Sequence, residues 1–406
     1  MRTSAIIGSL AVATAILGTQ SIMAAESGPV SGGTVKIAVL TDLSGVNSAA
    51  SGSGVTEAVR MAVEDFGGKV LNSPIEILTA DHQNKTDVGA NIANKWLDVD
   101  DVDVIVDVPN SAVALAVQDI AKRKGRVFIA GGASIADLTG AACSPTGIHY
   151  IYDTYSMAGT AAAAAVQQVG KSYYFLTVDY AFGHAIQQSL STFLKAAGAT
   201  IVGGVRHPLG AQDLSSFLLQ AQASPAEVIV LVSGGTDTLN AIKTAKEFGI
   251  TSDKKLLALM MVEPDIHGLG LENAQGMLLP SPFFWSRTPE STAWSRTFFA
   301  RTGKMPSFIQ AGAYSYTMHY LKAIQAAGTD EGKAVVAKMK ETPIDDWFAK
   351  GTIRPDGRMV HDMYLVRVKA PAASKEPWDY FELVDTIPGD TAFRPMNKGG
   401  CPLVDP

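Results

Sequence analysis

Residues 35–66 constrain this chain more than any other stretch. Positions 35–40 form a short, nearly uncharged apolar run, the pattern of a strand buried on both faces of a parallel sheet. Positions 41–53 are small, polar or glycine. Val55, Ala58, Val59, Ala62, Val63 and Phe66 then recur at helical spacing, opposite Glu57, Arg60, Glu64 and Asp65. Strand, loop and helix in this order put the loop at the carboxyl edge of a sheet, where open α/β sheets bind ligands. The helix start offers free N–H groups to an anion.

The same alternation continues. Strands are predicted at 75–81, 102–108 and 126–132, with helices at 88–97 and 112–124 between them. This is a run of βαβ units, hence a parallel sheet with helices on both faces. It breaks at 141–155 and restarts: helices at 156–170, 183–197 and 238–248, strands at 173–178, 200–205, 228–232 and 256–261. Pro280 and Pro282 forbid a helix at 275–285 and suit a crossing segment. Helices follow at 290–301, 308–327 and 331–340, then a Pro-Asp-Gly turn at 355–357 and strands at 362–369 and 378–384. A chain of 406 residues exceeds one ordinary core. Crossings near Asp153, Phe283 and Met359 give two discontinuous lobes: 34–153 with 284–357, and 154–283 with 358–406. The expected fold is α/β, two doubly wound Rossmann-like lobes joined by a three-segment hinge around a cleft.

Arg2, the apolar run 5–17 and the small residues at Ala24 and Ala25 read as a cleavable signal peptide within 1–25. The alternative is an uncleaved anchor, but the run is short for a bilayer. No cysteine lies near the cut, so a lipid anchor there is not expected. The chain is therefore expected in the periplasm. The two cysteines, Cys143 and Cys401, are compatible with one disulfide or with two free thiols, and are too few for a thiolate zinc site. A net charge of −6 argues against nucleic-acid binding.

Catalytic patterns are missing. Gly52 and Gly54 faintly resemble a dinucleotide loop, with Asp81 where a ribose ligand would sit, but Glu57 stands where a third glycine is needed. There is no Gly-x-Ser-x-Gly, no His-Glu-x-x-His and no phosphate loop, and the seven histidines lack ligand spacing. No enzyme activity, cofactor or metal is expected. Binding features are present instead. Small and polar residues stand just before helices at 42–45, 109–111, 131–134, 179–183 and 233–237. Hydroxyls and free N–H groups there can hold a carboxylate.

With these stretches in order, the chain resembles the periplasmic solute-binding proteins of ABC importers, in the family of the leucine/isoleucine/valine receptor. VKIAVLTDLSG, VPNSAVALAV, IAGGASIADLTG, VDYAFGHAIQQSLSTFLKAAGATIVG and VIVLVSGGTDTLNAIKTAKEFG carry the resemblance. It implies a type I two-lobed fold, a small-molecule ligand clamped between the lobes, and delivery to a membrane permease by a monomeric carrier. It also implies that Asn110, Ser111, Ala133 and Ser134 hold the ligand's polar head. Tyr155, Phe182, Gly235, Thr236 and Asp237 would close from the second lobe, with the Ser44 loop beside the side-chain pocket.

The chain departs from the family at two places. Ala50 and Ser51 replace an aromatic residue and leave room for a bulkier group. No clear acidic partner for an α-ammonium stands at 234–236, although Asp237, Asp42 and Asp153 are candidates. Tyr155, Tyr180, Phe182, Phe284 and Trp285 offer aromatic surface. The expectation is therefore a small hydrophobic carboxylate, an aromatic acid before a branched-chain or other hydrophobic amino acid. A ligand-sensing receptor module is a more distant reading.

Overall fold

The computed structural model describes residues 30–404, so the signal-peptide reading lies outside the described residues. In chain order the elements are β1 (Val35–Thr41), α1 (Gly52–Phe66), β2 (Lys69–Val70), β3 (Ser73–Asp81), α2 (Thr86–Asp98), β4 (Val104–Asp107), α3 (Ser111–Lys124), β5 (Val127–Ala130) and β6 (Gly147–His149). There follow α4 (Thr154–Ala164), β7 (Ser172–Val178), α5 (Ala181–Ala196), β8 (Thr200–His207), α6 (Ser215–Gln222), β9 (Val228–Val232), α7 (Gly235–Glu247), β10 (Lys255–Ala258) and α8 (Glu263–Leu269). The rest comprises α9 (Leu271–Ala274), β11 (Leu278–Ser281), α10 (Pro289–Thr302), α11 (Phe308–Ala327), α12 (Gly332–Glu341), β12 (Ile344–Asp345), β13 (Lys350–Ile353), β14 (Met359–His361), β15 (Met363–Val368), β16 (Phe381–Ile387) and α13 (Gly389–Ala392).

The first sheet runs β2-β3-β1-β4-β5-β6 and is parallel apart from the β2–β3 hairpin. Side chains alternate across β1: Val35, Ile37 and Val39 pack in the core with α1, whereas Ala38 and Leu40 pack in the core with α2 and α3. Helix α1 buries Val55, Ala58, Val59, Met61, Ala62 and Val63, stops at the left-handed Gly67, and lies against α11. Helix α11 starts with a reciprocal cap between Ser307 and Gln310 and ends at left-handed Gly328. The second sheet, β10-β9-β7-β8, is wholly parallel. In both sheets the order reverses beside the first strand of the lobe, so a crevice opens at the carboxyl ends of β1 and β7.

The two lobes are joined by three segments. After β6 the chain enters α4. It returns between β11 and α10, and leaves again between β14 and β15. These strands are clamped together at the hinge. His149 N–H donates to Gly357 O at 2.9 Å, and buried Arg358 donates to Tyr152 O at 3.0 Å. The 275–285 run was expected as a crossing only. It contains strand β11, which pairs antiparallel with β15 at its sheet's edge, where Pro280 is tolerated. The sheet β12-β13-β14, where only a turn was expected, is built from strands of two to four residues, too short to show a periodicity. Cys143 and Cys401 form a disulfide, Cα–Cα 5.6 Å, that ties the tail to the loop before β6. No helix among the described residues is long and apolar enough to cross a membrane.

Candidate ligand site in the interlobe cleft

The first lobe contributes a rigid loop, 42–51. Buried Asp42 builds it: Oδ1 accepts the Gly45 N–H at 2.6 Å, and Oδ2 accepts the Asn47 N–H at 2.9 Å and Asn84 Nδ2 at 2.7 Å. Helix α11 holds the far end, with Ser307 Oγ donating to Ala50 O at 2.5 Å and Gln310 Nε2 to Ser51 O at 3.1 Å. Behind the loop, Ser51 Oγ donates to Asp107 Oδ1 at 3.2 Å, and burial pushes the Asp107 carboxyl up to about 7. A Cβ on Gly132 would lie 2.7 Å from that carboxylate and 2.8 Å from Pro109, so only glycine allows this packing of the cleft floor.

The cavity between the lobes has a volume of about 30 Å3. From the first lobe it is lined by Asn47, Ala50, Pro109, Gly132, Ser134, Tyr152 and Ile309. From the second it is lined by Tyr180, Phe182, Gly234, Gly235, Met260, Val262 and Asp265. Tyr152 donates its hydroxyl to Gly132 O at 2.7 Å, which fixes its ring against the floor. Tyr180 and Phe182 lie 5.9 Å apart on the opposite wall. No lysine, arginine or histidine lines the cavity among the described residues.

One acidic group does. Asp265 is buried in the first turn of α8. Its Oδ2 accepts the Val262 N–H at 3.1 Å, and Oδ1 has no donor among the described residues. Burial pushes this carboxyl up to about 7.

Of the residues expected at the site, the structure brings Ala50, Ser134, Phe182 and Gly235 to the cavity. The others lie elsewhere. Ser44 is exposed and donates to Asp81 at 2.7 Å. Asn110 caps α3 by accepting the Ala112 and Val113 N–H groups, which also removes those donors from any ligand, and buried Ser111 opens that helix. Ala133 offers its carbonyl to His149 Nε2 at 2.8 Å. Tyr155 stacks edge-on against Phe193. Thr236 donates its N–H to Val46 O, and Asp237 accepts the Gly210 N–H at 3.0 Å. Phe284 packs edge-on against Tyr364, and Trp285 donates to Trp378 O at 2.8 Å, so both belong to hinge packing.

Neither of the other acidic candidates is free. Asp42 is engaged by the loop, and Asp153 accepts the Ser156 N–H as the cap of α4 while facing Arg358 at 3.6 Å. Asn47, Tyr152, Met260, Val262, Ile309 and Asp265 line the cavity without being expected from the sequence. Asp265 carried a usable signal. Glu263-Pro264-Asp265 opens a helix just after a predicted strand, the same strand-end pattern as the five loops that were singled out.

The comparisons with known proteins agree with this architecture. Residues 34–375 match a model described as periplasmic binding protein. A periplasmic binding protein from Burkholderia mallei is 48% identical, with a TM-score of 0.90, covering 92% of this chain and 99% of its own. A branched-chain amino acid ABC transporter periplasmic ligand-binding protein from Burkholderia xenovorans is 39% identical, with a TM-score of 0.80, covering 91% and 99%. A leucine-binding protein from Thermotoga maritima is 20% identical, with a TM-score of 0.76, covering 88% and 99%, and is similar in fold. No curated protein matches the chain. The chain belongs to the periplasmic binding protein family, the type I two-lobed proteins of ABC transporters. This is a family of substrate-binding proteins rather than enzymes, and its members pass small molecules to ABC permeases.

Proposed function

We propose that this chain captures a small hydrophobic amino acid in the periplasm, as a monomer, and hands it to the permease of an ABC importer. Asp265 carries the reading: it is a buried carboxylate in the cavity wall with one oxygen unpartnered and no cation nearby. A buried charge without a partner is costly, and a ligand ammonium supplies the partner. Ser134 stands on the opposite lobe, where its hydroxyl can donate to the ligand's carboxylate, and Val262, Met260, Phe182 and Ile309 give apolar walls. The relative from Burkholderia xenovorans, whose name specifies a branched-chain amino acid transporter, is consistent with this class.

The expectation of an aromatic acid rests on a missing acidic partner, on spare room at Ala50 and on aromatic surface at the cleft. Asp265 supplies the acid. The space beside Ala50 belongs to a cavity of about 30 Å3, smaller than the roughly 150 Å3 that holds benzene and smaller than a leucine or valine needs, so it is the acid and not the volume that separates the two classes. A second reading, an aromatic carboxylate, is favoured by the rings of Tyr152, Tyr180 and Phe182 in the cavity wall.

The test is a thermal-shift panel on refolded, ligand-stripped protein with L-valine, L-leucine, L-phenylalanine, 3-methylbutanoate and benzoate. A ligand that binds only the folded state raises the Tm. Shifts with the aliphatic amino acids and none with their deaminated counterpart support the first reading. A shift with benzoate alone overturns it in favour of the second.

A further inference from the structure

We propose that Asn47 is a ligand-gripping residue and that its loop couples capture of the ligand to closure of the lobes. Asn47 lines the cavity, and its Nδ2 is buried with no hydrogen-bond partner. Its own backbone N–H is fixed on Asp42, so the side chain is presented from a braced loop. The neighbouring residue meets the other lobe. Val46 O accepts the Thr236 N–H at 3.3 Å across the cleft. Gly235, with φ +54°, leaves room for that carbonyl: a Cβ there would lie 1.9 Å from Val46 O. On the flank, the Val46 side chain lies 3.9 Å from where a Cβ on Gly210 would be.

Two adjacent residues of one rigid loop therefore do two jobs. Val46 seats on the start of α7, and Asn47 offers a donor to whatever the cleft encloses. Closing over a ligand oxygen satisfies that N–H. Closing without an acceptor leaves it buried and unpaired, which is unfavourable. The partner chemistry is an oxygen acceptor of a carboxylate-bearing solute. This inference is separate from the amino-acid reading, because an amino acid and an aromatic acid both carry a carboxylate. The identity of the amine partner at Asp265 does not enter it.

The test counts open and closed molecules by single-molecule energy transfer between dyes on Val99→Cys and Leu219→Cys, which are 70% and 48% exposed on the first and second lobes. The probes are L-valine and benzoate. Gly235→Ala and Gly235→Asn should each lower the closed population at least tenfold under every condition. Asparagine tolerates a left-handed backbone, so the pair separates crowding of Val46 from backbone strain. Asn47→Leu should leave the unliganded closed fraction equal to or above the parent's, yet abolish the increase caused by whichever probe closes the parent. A purely structural role for Asn47 would instead lower the closed fraction without ligand.

Gly235 variants that close like the parent, a parent with no closed population in any condition, or Asn47→Leu molecules that still close on the probe would each overturn the proposal. If benzoate closes the parent and L-valine does not, the amino-acid reading fails while the latch stands.

Discussion

The two faces of the cleft each bring a buried aspartate to a strand-end loop, and they use it differently. Asp42, on the first lobe, accepts three hydrogen bonds from its own loop and from Asn84. Asp265, on the second, accepts one and keeps an oxygen toward the cavity. The first acid is a structural element, because both of its oxygens are engaged by fixed N–H donors. In the proposed function the second is a binding element, because one of its oxygens is left for something that enters. Burial alone does not distinguish them, since both side chains are almost fully enclosed. The number of donors already in place does.

This contrast can be broken by substitution. The largest effect on binding belongs to Asp265→Ala. Removing one partner of a desolvated charge pair costs ~3 kcal/mol or more, so L-valine affinity, measured by isothermal titration, should fall at least about 100-fold. Binding of 3-methylbutanoate should not weaken. Asp42→Ala should act the other way round. Losing an acceptor that organises three donors should lower the unfolding free energy by roughly 2–3 kcal/mol, read from urea denaturation. Ligand affinity should drop only as far as the loop loosens. If Asp42→Ala abolished binding at unchanged stability, Asp42 rather than Asp265 would hold the ammonium. Ser134→Ala should have the smallest effect, about tenfold in affinity, or ~1.4 kcal/mol. Unchanged affinity would remove Ser134 from the site.

The same contrast explains how much could be read without coordinates. Strand β1, helix α1 and the full span of α11 follow from apolar spacing and, for α11, from Pro306 at its start and Gly328 at its end, all local properties. Ala50, Ser134, Phe182 and Gly235 were legible because strand-end loops of small residues converge at one edge. What was not legible is which polar groups are already engaged. Asn110 and Asp237 read as ligand contacts, yet Asn110 caps its helix and Asp237 accepts the Gly210 N–H. Tyr155, Phe284 and Trp285 read as cleft aromatics, yet tertiary packing turns them to Phe193, Tyr364 and Trp378. Asp265 is, in sequence, one acid among many that open helices, and only its position across the cleft from Ser134 distinguishes it.

The most direct test of Asp265 as the ammonium partner needs no substitution. L-valine binding to the native protein is measured by isothermal titration between pH 5.5 and 8. Burial holds the empty Asp265 carboxyl up at about 7. An ammonium beside it favours the ionised form, so below pH 7 binding must also expel a proton. The account predicts that Kd falls by up to about tenfold per pH unit as pH rises toward 7 and flattens above it. Affinity that is flat, or that weakens as pH rises through this window, would mean that the ligand does not place a cation on Asp265, contradicting the account.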